Sequence, residues 1–410
     1  MTTTQSAADL DPRLLVDEQG LKGYVTAFRR RVTGGELGSL PVVVGLVVIW
    51  AIFYFKESRF LSAQNLTNLS LQMCATGLIS VGIVMVLLLG EVDLSVGSVS
   101  GLTAAVMATQ IFRHDTDQYV AMLLALLVGA IIGAFHGTVF AKFGVPSFVV
   151  TLAGLIAWQG AQLRVLGSDG TVTLPSGPVQ SLTSAFYPHA TGWVLAVVGL
   201  VLYAGAQLWE VRTRTRAGLR PRPMVEIAFR VVVVAAALAV AVSVLNHYRG
   251  VPFALVLFLV VVVVFDLMIR RTRYGRHVLA VGGNIEAARR AGIGVSFIRI
   301  SVFSIAGVMA AAGGLVAASR ISSVSQSSGG SDTLLNAIAA AVIGGTSLFG
   351  GRGSSYSALL GILVIQSIAN GMALLGLESS TQFMITGGVL LAAVTIDALG
   401  RRGRAASGRG

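Results

Sequence analysis

Apolar blocks of about 20 residues, the length of helix that crosses a bilayer, recur along most of this chain. Short polar segments separate them. Only 12% of the residues are charged, whereas a soluble domain usually carries about 25%. Inside a bilayer the backbone must satisfy its own hydrogen bonds, and a helix does so within one segment. The sequence therefore predicts an all-α polytopic membrane protein.

Twelve of these blocks are candidate transmembrane helices. They cover residues 40–55, 70–89, 96–112, 120–141, 147–165, 192–209, 226–246, 252–269, 298–318, 333–349, 355–375 and 381–399. We expect residues 40–399 to form a transmembrane domain, preceded by a tail of residues 1–39 and followed by a tail of residues 400–410.

The basic residues predict which side of the membrane each loop faces. If the spans alternate from a cytoplasmic N-terminus, 23 of the 30 Lys and Arg residues lie on the cytoplasmic side, six lie on the outer side, and Arg230 falls within the seventh span. Cytoplasmic loops retain Lys and Arg preferentially. Both tails and the basic loops 210–223 and 270–298 are thus predicted to be cytoplasmic. The net charge of +12 is spread between apolar blocks and forms no single basic face, so we expect no nucleic-acid partner.

The loop 270–298 is predicted to carry a short helix. Gly282 and Gly283 predict a turn, and Asn284 is a favourable N-cap for a helix over residues 285–291. Gly292 follows, where glycine commonly ends a helix. A helix this short is marginal alone in water. We therefore expect it to be held by its own membrane domain, by a partner, or by both.

A second polar segment, GEVDLS at residues 90–95, lies between two apolar spans. It contains the carboxylates of Glu91 and Asp93 and no basic residue. Carboxylates at bilayer depth are costly and usually face an aqueous cavity. Gly90 and Gly97 flank the segment and allow a helix to break there.

Two interpretations of this segment remain open. In the first, residues 90–97 interrupt a discontinuous helix on the path of a polar solute. In the second, they form an ordinary cytoplasmic turn in which Asp93 caps the next helix. The candidate pathway residues are Gly90, Glu91, Asp93, Ser95, Gly97 and Ser98.

A similar glycine-rich segment, GGTSLFGGRGS, occurs at residues 344–354. It matches residues 90–100 at four of eleven positions, and both segments follow a span predicted to run from outside to inside. An internal duplication, which many transporters show, explains this match. Chance similarity in a chain with 49 glycines is the alternative.

The sequence lacks the motifs of common catalytic, nucleotide-binding and metal sites. It has neither a G-x-x-x-x-G-K-[ST] loop nor a G-x-S-x-G elbow. With Cys74 as the single cysteine, no disulfide within the chain and no multi-cysteine metal site is possible. The histidines are scattered, so we expect them to be solvated or interfacial, with no metal bound. They are His114, His136, His189, His247 and His277.

Four segments together resemble a known family. They are Gly90–Val99 (GEVDLSVGSV), Val145–Gly154 (VPSFVVTLAG), Tyr274–Ile293 (YGRHVLAVGGNIEAARRAGI) and Gly344–Gly353 (GGTSLFGGRG). In this order they resemble the membrane permease subunit of bacterial ABC sugar importers, the ribose/xylose/galactoside permease family. The extra spans at 192–246, with their basic loop, are most similar to the xylose-type permeases.

The resemblance implies a function and a set of partners. It implies a permease, not an enzyme, that moves a monosaccharide, such as the pentose xylose, into the cytoplasm by alternating access. The implied partners are a cytoplasmic ABC ATPase that binds ATP and Mg²⁺, an extracytoplasmic sugar-binding protein, a second permease copy and the lipids of the bacterial cell membrane. This chain itself would need no cofactor. The alternatives are an ion-coupled secondary sugar transporter, with Glu91 and Asp93 as proton-coupled groups, and a membrane-embedded enzyme or scaffold.

The segment Glu286–Gly292 also resembles the EAA-x-x-x-G coupling loop of ABC importers. No Leu-Pro follows Gly292 at the expected distance, so only a local docking role on the ATPase is carried over. The other interpretation is a plain amphipathic turn between helices. The implied coupling residues are Gly282, Gly283, Asn284, Glu286, Ala287, Ala288, Arg289 and Gly292.

Overall fold

The computed structural model of the protein describes residues 40–216 and 223–406, in which fifteen α-helices and four short strands follow one another. The predicted tail of residues 1–39 lies outside the described residues, as do residues 217–222 and 407–410. The helices are α1 (Leu40–Lys56), α2 (Ala63–Leu88), α3 (Val96–His114), α4 (Gln118–Phe143), α5 (Ser147–Leu166), α6 (Pro178–Ser184), α7 (His189–Arg216), α8 (Met224–Asn246), α9 (Phe253–Arg271), α10 (Arg273–Gly283), α11 (Ile285–Arg290), α12 (Val295–Ile321), α13 (Ser331–Ile343), α14 (Ser355–Leu374) and α15 (Ser379–Ala406). The strands are β1 (Thr171–Thr173), β2 (Phe186–Tyr187), β3 (Val251–Pro252) and β4 (Ser323–Ser325).

Each of the twelve predicted spans coincides with a helix over most of its length, and the all-α polytopic class is confirmed. Among the described residues, eight helices are both long and apolar enough to cross a membrane: α2, α4, α5, α7, α8, α9, α12 and α14. Helices α1 and α13 are apolar but shorter. The span predicted at 333–349 is wrong at its end, because α13 stops at Ile343. The chain then passes through Gly345, Gly350 and Gly351 at positive φ, which a right-handed helix does not contain.

Helix α2 lies at the centre of the bundle. In its most apolar stretch 78% of the residues are buried, the highest share among the candidate spans of the described chain. It packs against α9, α12, α13 and α14. The end of α2 therefore lies where neighbouring connections can pack against it.

Helices α4 and α12 approach each other closely because glycines line their contact. Gly129, Gly133 and Gly137 recur every fourth residue on α4 and face α12. A Cβ atom on Gly133 would overlap the carbonyl oxygen of Phe303, and one on Gly129 would overlap that of Gly307. Small residues at this spacing let membrane helices pack backbone against backbone.

The two ends of the bundle differ. Two antiparallel strand pairs lie at one end, the strand end, where Val172 faces Val324 and Tyr187 faces Val251. Helix α11 and the other inter-helix connections described below lie at the opposite end, the α11 end. These connections are residues 90–95, 144–146, 272–294 and 344–354.

Helices α7 and α8, which correspond to the extra spans at 192–246, form a peripheral pair. None of the most apolar stretch of α7 is buried, and α7 packs mainly on α8. Helix α8 leads to β3 at the strand end, and α9 starts there. The basic ends of α7 and α9 are consequently both at the α11 end, as the charge distribution predicts for loops on one side of the membrane.

We predict that Gly133→Val lowers the stability of the bundle, by about 1–3 kcal/mol, because the new side chain must displace the α12 backbone. The measurement is thermal unfolding of the purified protein in detergent. The matched control is Gly160→Val on α5, where no atom lies within 4 Å of the added Cβ. Equal unfolding temperatures for the two variants would contradict the packing described.

Candidate functional site

The predicted break between two helices is present. Helix α2 ends at Leu88 and α3 begins at Val96, with Gly90 at φ +79° between them. The intervening segment runs along the start of α5. Ser147 Oγ donates a hydrogen bond to Glu91 Oε2 at 2.7 Å, and one turn later the Leu94 N–H donates to Thr151 Oγ1 at 3.1 Å. Gly97 and Ser98, predicted within or beside the break, lie in the first turn of α3.

Asp93 is buried, with 3% of its surface exposed. Its Oδ1 accepts hydrogen bonds from the Ser95 N–H at 2.8 Å and from the Ser95 hydroxyl at 2.6 Å. Ser98 Oγ donates to the Ser95 carbonyl oxygen at 2.9 Å. The carboxylate thus closes a turn just before α3 but does not cap that helix, because its N-cap residue is Ser95 and no side chain caps it. Because Asp93 is buried among helices, this turn differs from an ordinary turn exposed to solvent.

A histidine and a tryptophan extend this polar cluster across two more helices. His136 on α4 is 1% exposed, so the prediction of a solvated or interfacial side chain is wrong for this residue. The Trp158 indole N–H donates to His136 Nε2 at 2.9 Å, and His136 Nδ1 lies 3.3 Å from Ser95 Oγ. An indole only donates, so Nε2 is an acceptor and the ring is neutral with its proton on Nδ1. The resulting chain of donors runs from Trp158 through His136 and Ser95 to Asp93.

Glu91 faces a basic residue that the sequence analysis did not single out. Its Oε1 lies 3.8 Å from Nη2 of Arg299 on α12, and both side chains are mostly buried. The Arg299 guanidinium also stacks 4.2 Å from the centre of the Phe140 ring. An arginine in the first turns of a predicted span was the available signal, because charges near bilayer depth are usually paired.

Gly97 lies where α3 crosses the connection between β4 and α13. A Cβ atom at Gly97 would lie 2.8 Å from the carbonyl oxygen of Gly329, and one at Gly101 would overlap that of Ser328. Gln162 on α5 holds the same connection by donating to the carbonyl oxygens of Ser325 and Ser328, at 2.9 and 3.0 Å. Glycine is therefore required at position 97 for the close packing of α3 against this connection. The same residue also lies near the predicted pathway.

Three connections meet at the end of α2, in a contact that we call the glycine junction. It consists of Leu88, Gly90, Gly282, Gly350 and Gly351. The Leu88 carbonyl oxygen accepts a hydrogen bond from the Gly351 N–H at 2.9 Å, and a Cβ on Gly282 would overlap this same oxygen. A Cβ on Gly350 would lie 2.6 Å from the Gly282 oxygen and 2.8 Å from the Gly90 nitrogen.

The glycine junction bears on two predictions, of which it corrects the first. Gly282 and Gly283 form no turn, because α10 continues through Gly283, and Gly282 serves close packing instead. The aligned segments 90–100 and 344–354 contact each other but differ in conformation. Gly90 is at φ +79° whereas its counterpart Gly344 is at −68°, so the two segments begin with different backbone conformations, and duplication and chance both stay open as explanations of the match.

The predicted coupling helix is present as α11 and ends one residue earlier than expected. Asn284 Oδ1 caps it by accepting from the Ala287 N–H at 2.9 Å, and Gly292 follows it at φ +78°. Ala288 packs inward at 3% exposure, whereas Ala287 is exposed. The exposed face also carries Glu286 and Arg289, which form an ion pair at 2.8 Å.

Helix α10, which the sequence analysis did not predict, fixes α11 to the bundle. Val278 and Val281 are buried on its inner face. Its Tyr274 hydroxyl is 2.8 Å from Ser301 Oγ on α12. Burial raises the pKa of the Tyr274 phenol, so this group stays protonated and can donate. The helix could have been predicted from residues 273–281, where arginines and valines recur at the spacing of an amphipathic helix.

We predict that His136→Phe destabilises the protein by about 1–3 kcal/mol, because the Trp158 N–H loses its acceptor and the Ser95 hydroxyl loses a partner inside the bundle. Thermal unfolding in detergent measures the effect. The control is His114→Phe, at an exposed position. A His136→Phe variant as stable as the wild type would contradict the assigned hydrogen-bond chain.

Comparison with known proteins places this chain in a family. A family model described as "Branched-chain amino acid transport system / permease component" matches residues 65–394. The xylose transport system permease protein XylH of Escherichia coli (strain K12) is 36% identical, over 89% of this chain and 93% of that protein. XylH of Haemophilus influenzae is 35% identical, over 87% and 95% of the two chains, and the ribose import permease protein RbsC of Escherichia coli (strain K12) is 31% identical, over 90% and 96%.

No solved structure matches this chain. The matched region includes both the 90–95 segment and α11, and the family resemblance seen in the sequence is confirmed. The chain therefore belongs to this family of transport permeases, together with the xylose and ribose permeases, and is a membrane permease subunit of an ABC transporter rather than an enzyme.

Proposed function

We propose that this permease imports a monosaccharide, a pentose such as xylose, into the cytoplasm of a bacterial cell. Relatives named as xylose and ribose permeases support this class of substrate. ATP hydrolysis in a separate cytoplasmic subunit drives alternating access, and ATP and Mg²⁺ bind to that subunit. The α11 end, with the basic ends of α7 and α9, faces the cytoplasm, and both termini lie on that side.

The observation that carries this proposal is the exposed, capped helix α11. The bundle covers Ala288 and leaves the opposite face of α11 open. We assign this open face to the ATPase, with Gly283, Asn284, Glu286, Ala287, Arg289 and Gly292 at the contact. Gly282 and Ala288 face this chain, so they support α11 from inside and are not contacts of the ATPase.

The solute pathway is assigned to the break before α3. A sugar is neutral and rich in hydroxyl groups, so it needs polar side chains and freed backbone groups more than net charge. Asp93, Ser95 and Ser98 supply such groups within an apolar bundle. All three are buried in this conformation, so a sugar reaches them only after the surrounding helices move apart, as alternating access requires. A sugar-binding protein delivers the sugar at the strand end, and a second permease copy completes the transporter.

The function is tested by reconstituting the permease in liposomes with its ATPase and sugar-binding protein. We expect xylose uptake that requires ATP and is insensitive to an uncoupler. Uptake that proceeds without the ATPase and collapses with an uncoupler would instead establish an ion-coupled secondary transporter.

We predict that Asp93→Ala reduces uptake by about 10-fold or more, while the complex with the ATPase still assembles. The matched control is Asp115→Ala, an exposed aspartate at the other end of α3. Gel filtration measures assembly, and radiolabelled sugar measures uptake. Normal transport by an assembled Asp93→Ala variant would remove Asp93 from the pathway.

A further inference from the structure

Helix α11 is tied on both of its sides to the segment that precedes α3. On its N-terminal side, Gly282 of α10 packs on the Leu88 carbonyl oxygen. On its C-terminal side, Arg299 of α12 faces Glu91 at 3.8 Å. Leu88 and Glu91 stand on either side of Gly90, so both contacts reach the start of the same short segment.

The contact on the α12 side is shielded from solvent. The side chains of Glu91 and Arg299 are 20% and 17% exposed, so water and salt screen their attraction less than that of a surface pair. Each is also held by a second contact, Glu91 by the Ser147 hydroxyl and Arg299 by the Phe140 ring. The pair therefore joins α12 to the 90–95 segment and to the facing ends of α4 and α5.

Helix α11 itself also carries charge. Its Arg289 has the same sign of charge as Arg299, whose carboxylate partner within 4 Å in the described chain is Glu91. Glu286 in turn pairs with Arg289 at 2.8 Å on the exposed face. A partner that moves α11 thus also moves the charges of Glu286 and Arg289 relative to the Glu91–Arg299 pair.

We infer that the Glu91–Arg299 ion pair transmits displacement of α11 to the 90–95 segment, so that the pathway opens only when the ATPase moves α11. This inference rests on the proposed function. It makes Glu91 and Arg299 positioning residues. Both carboxylate oxygens of Glu91 already face protein groups, so its role is to couple the segment to α12 and not to bind sugar.

The test compares ATP hydrolysis with sugar uptake in the same vesicles of the reconstituted transporter. The variants are Glu91→Gln, Arg299→Gln, both together, and the exchanged pair Glu91→Arg with Arg299→Glu. The control pair is Glu226→Gln with Arg230→Gln, a partly buried ion pair at 2.6 Å on the peripheral α8. Thermal unfolding of each variant identifies any that fails to fold.

We expect each single change to lower uptake about 10-fold while the rate of ATP hydrolysis stays within about twofold of the wild-type rate. The ATPase then still hydrolyses ATP, but its movement no longer opens the solute pathway. The double Gln variant should take up sugar at least as fast as the single variant with the lower uptake, since the two residues act as one unit. The exchanged pair should recover at least part of the uptake, and the control pair should transport normally.

Three outcomes would overturn the inference: single variants that transport normally, losses that multiply in the double variant, or ATP hydrolysis that falls in parallel with uptake in folded protein. These outcomes are distinct from failure of the proposed function. That failure would appear as a wild-type transporter with no ATP-driven uptake, whatever the variants do.

Discussion

The account depends on the close approach of three backbones at the end of α2. The Leu88 carbonyl oxygen receives the Gly351 N–H and lies against Gly282, where no side chain fits. Because α2 is the most buried candidate span among those described, this junction connects α10 to the centre of the bundle. Glycine provides what no other residue type does here, which is backbone contact between connections that would otherwise be held apart by side chains.

A polar interior follows from the same arrangement. The break after Gly90 frees backbone groups in a bundle that is otherwise apolar, and buried polar groups must find partners. Asp93, Ser95, His136 and Trp158 satisfy one another in a single chain of hydrogen bonds. Such a network is stable when each of its polar groups has a partner. It nevertheless consists of hydroxyl, imidazole and carboxylate groups that can exchange hydrogen-bond partners. Groups of this kind suit the pathway of a polar solute, which is the role that we propose for them.

The helices and the cap of α11 could be predicted from the sequence, each for its own physical reason, whereas contacts across the bundle could not. The length and hydropathy of the blocks predict the helices, because the bilayer imposes one length. Asn284 and Gly292 predict α11, because caps act through neighbours in sequence. The partner of Glu91 could not be predicted, since Arg299 lies more than 200 residues away and pairing across the bundle depends on packing. The sequence predicts a turn at Gly282 for a related reason: glycine serves both positive φ and close contact, and only the fold decides which.

The central claim is that the outward face of α11 is the surface held by the ATPase. Cys74 is the only cysteine in the chain and is buried, so a cysteine introduced on α11 can be addressed selectively. The most direct measurement is chemical crosslinking of Ala287→Cys and Ala288→Cys variants in the assembled transporter. The account predicts a permease–ATPase crosslink from position 287 and none from position 288. A crosslink from neither position, together with labelling of Ala287→Cys by lipid-soluble but not by water-soluble reagents, would contradict it.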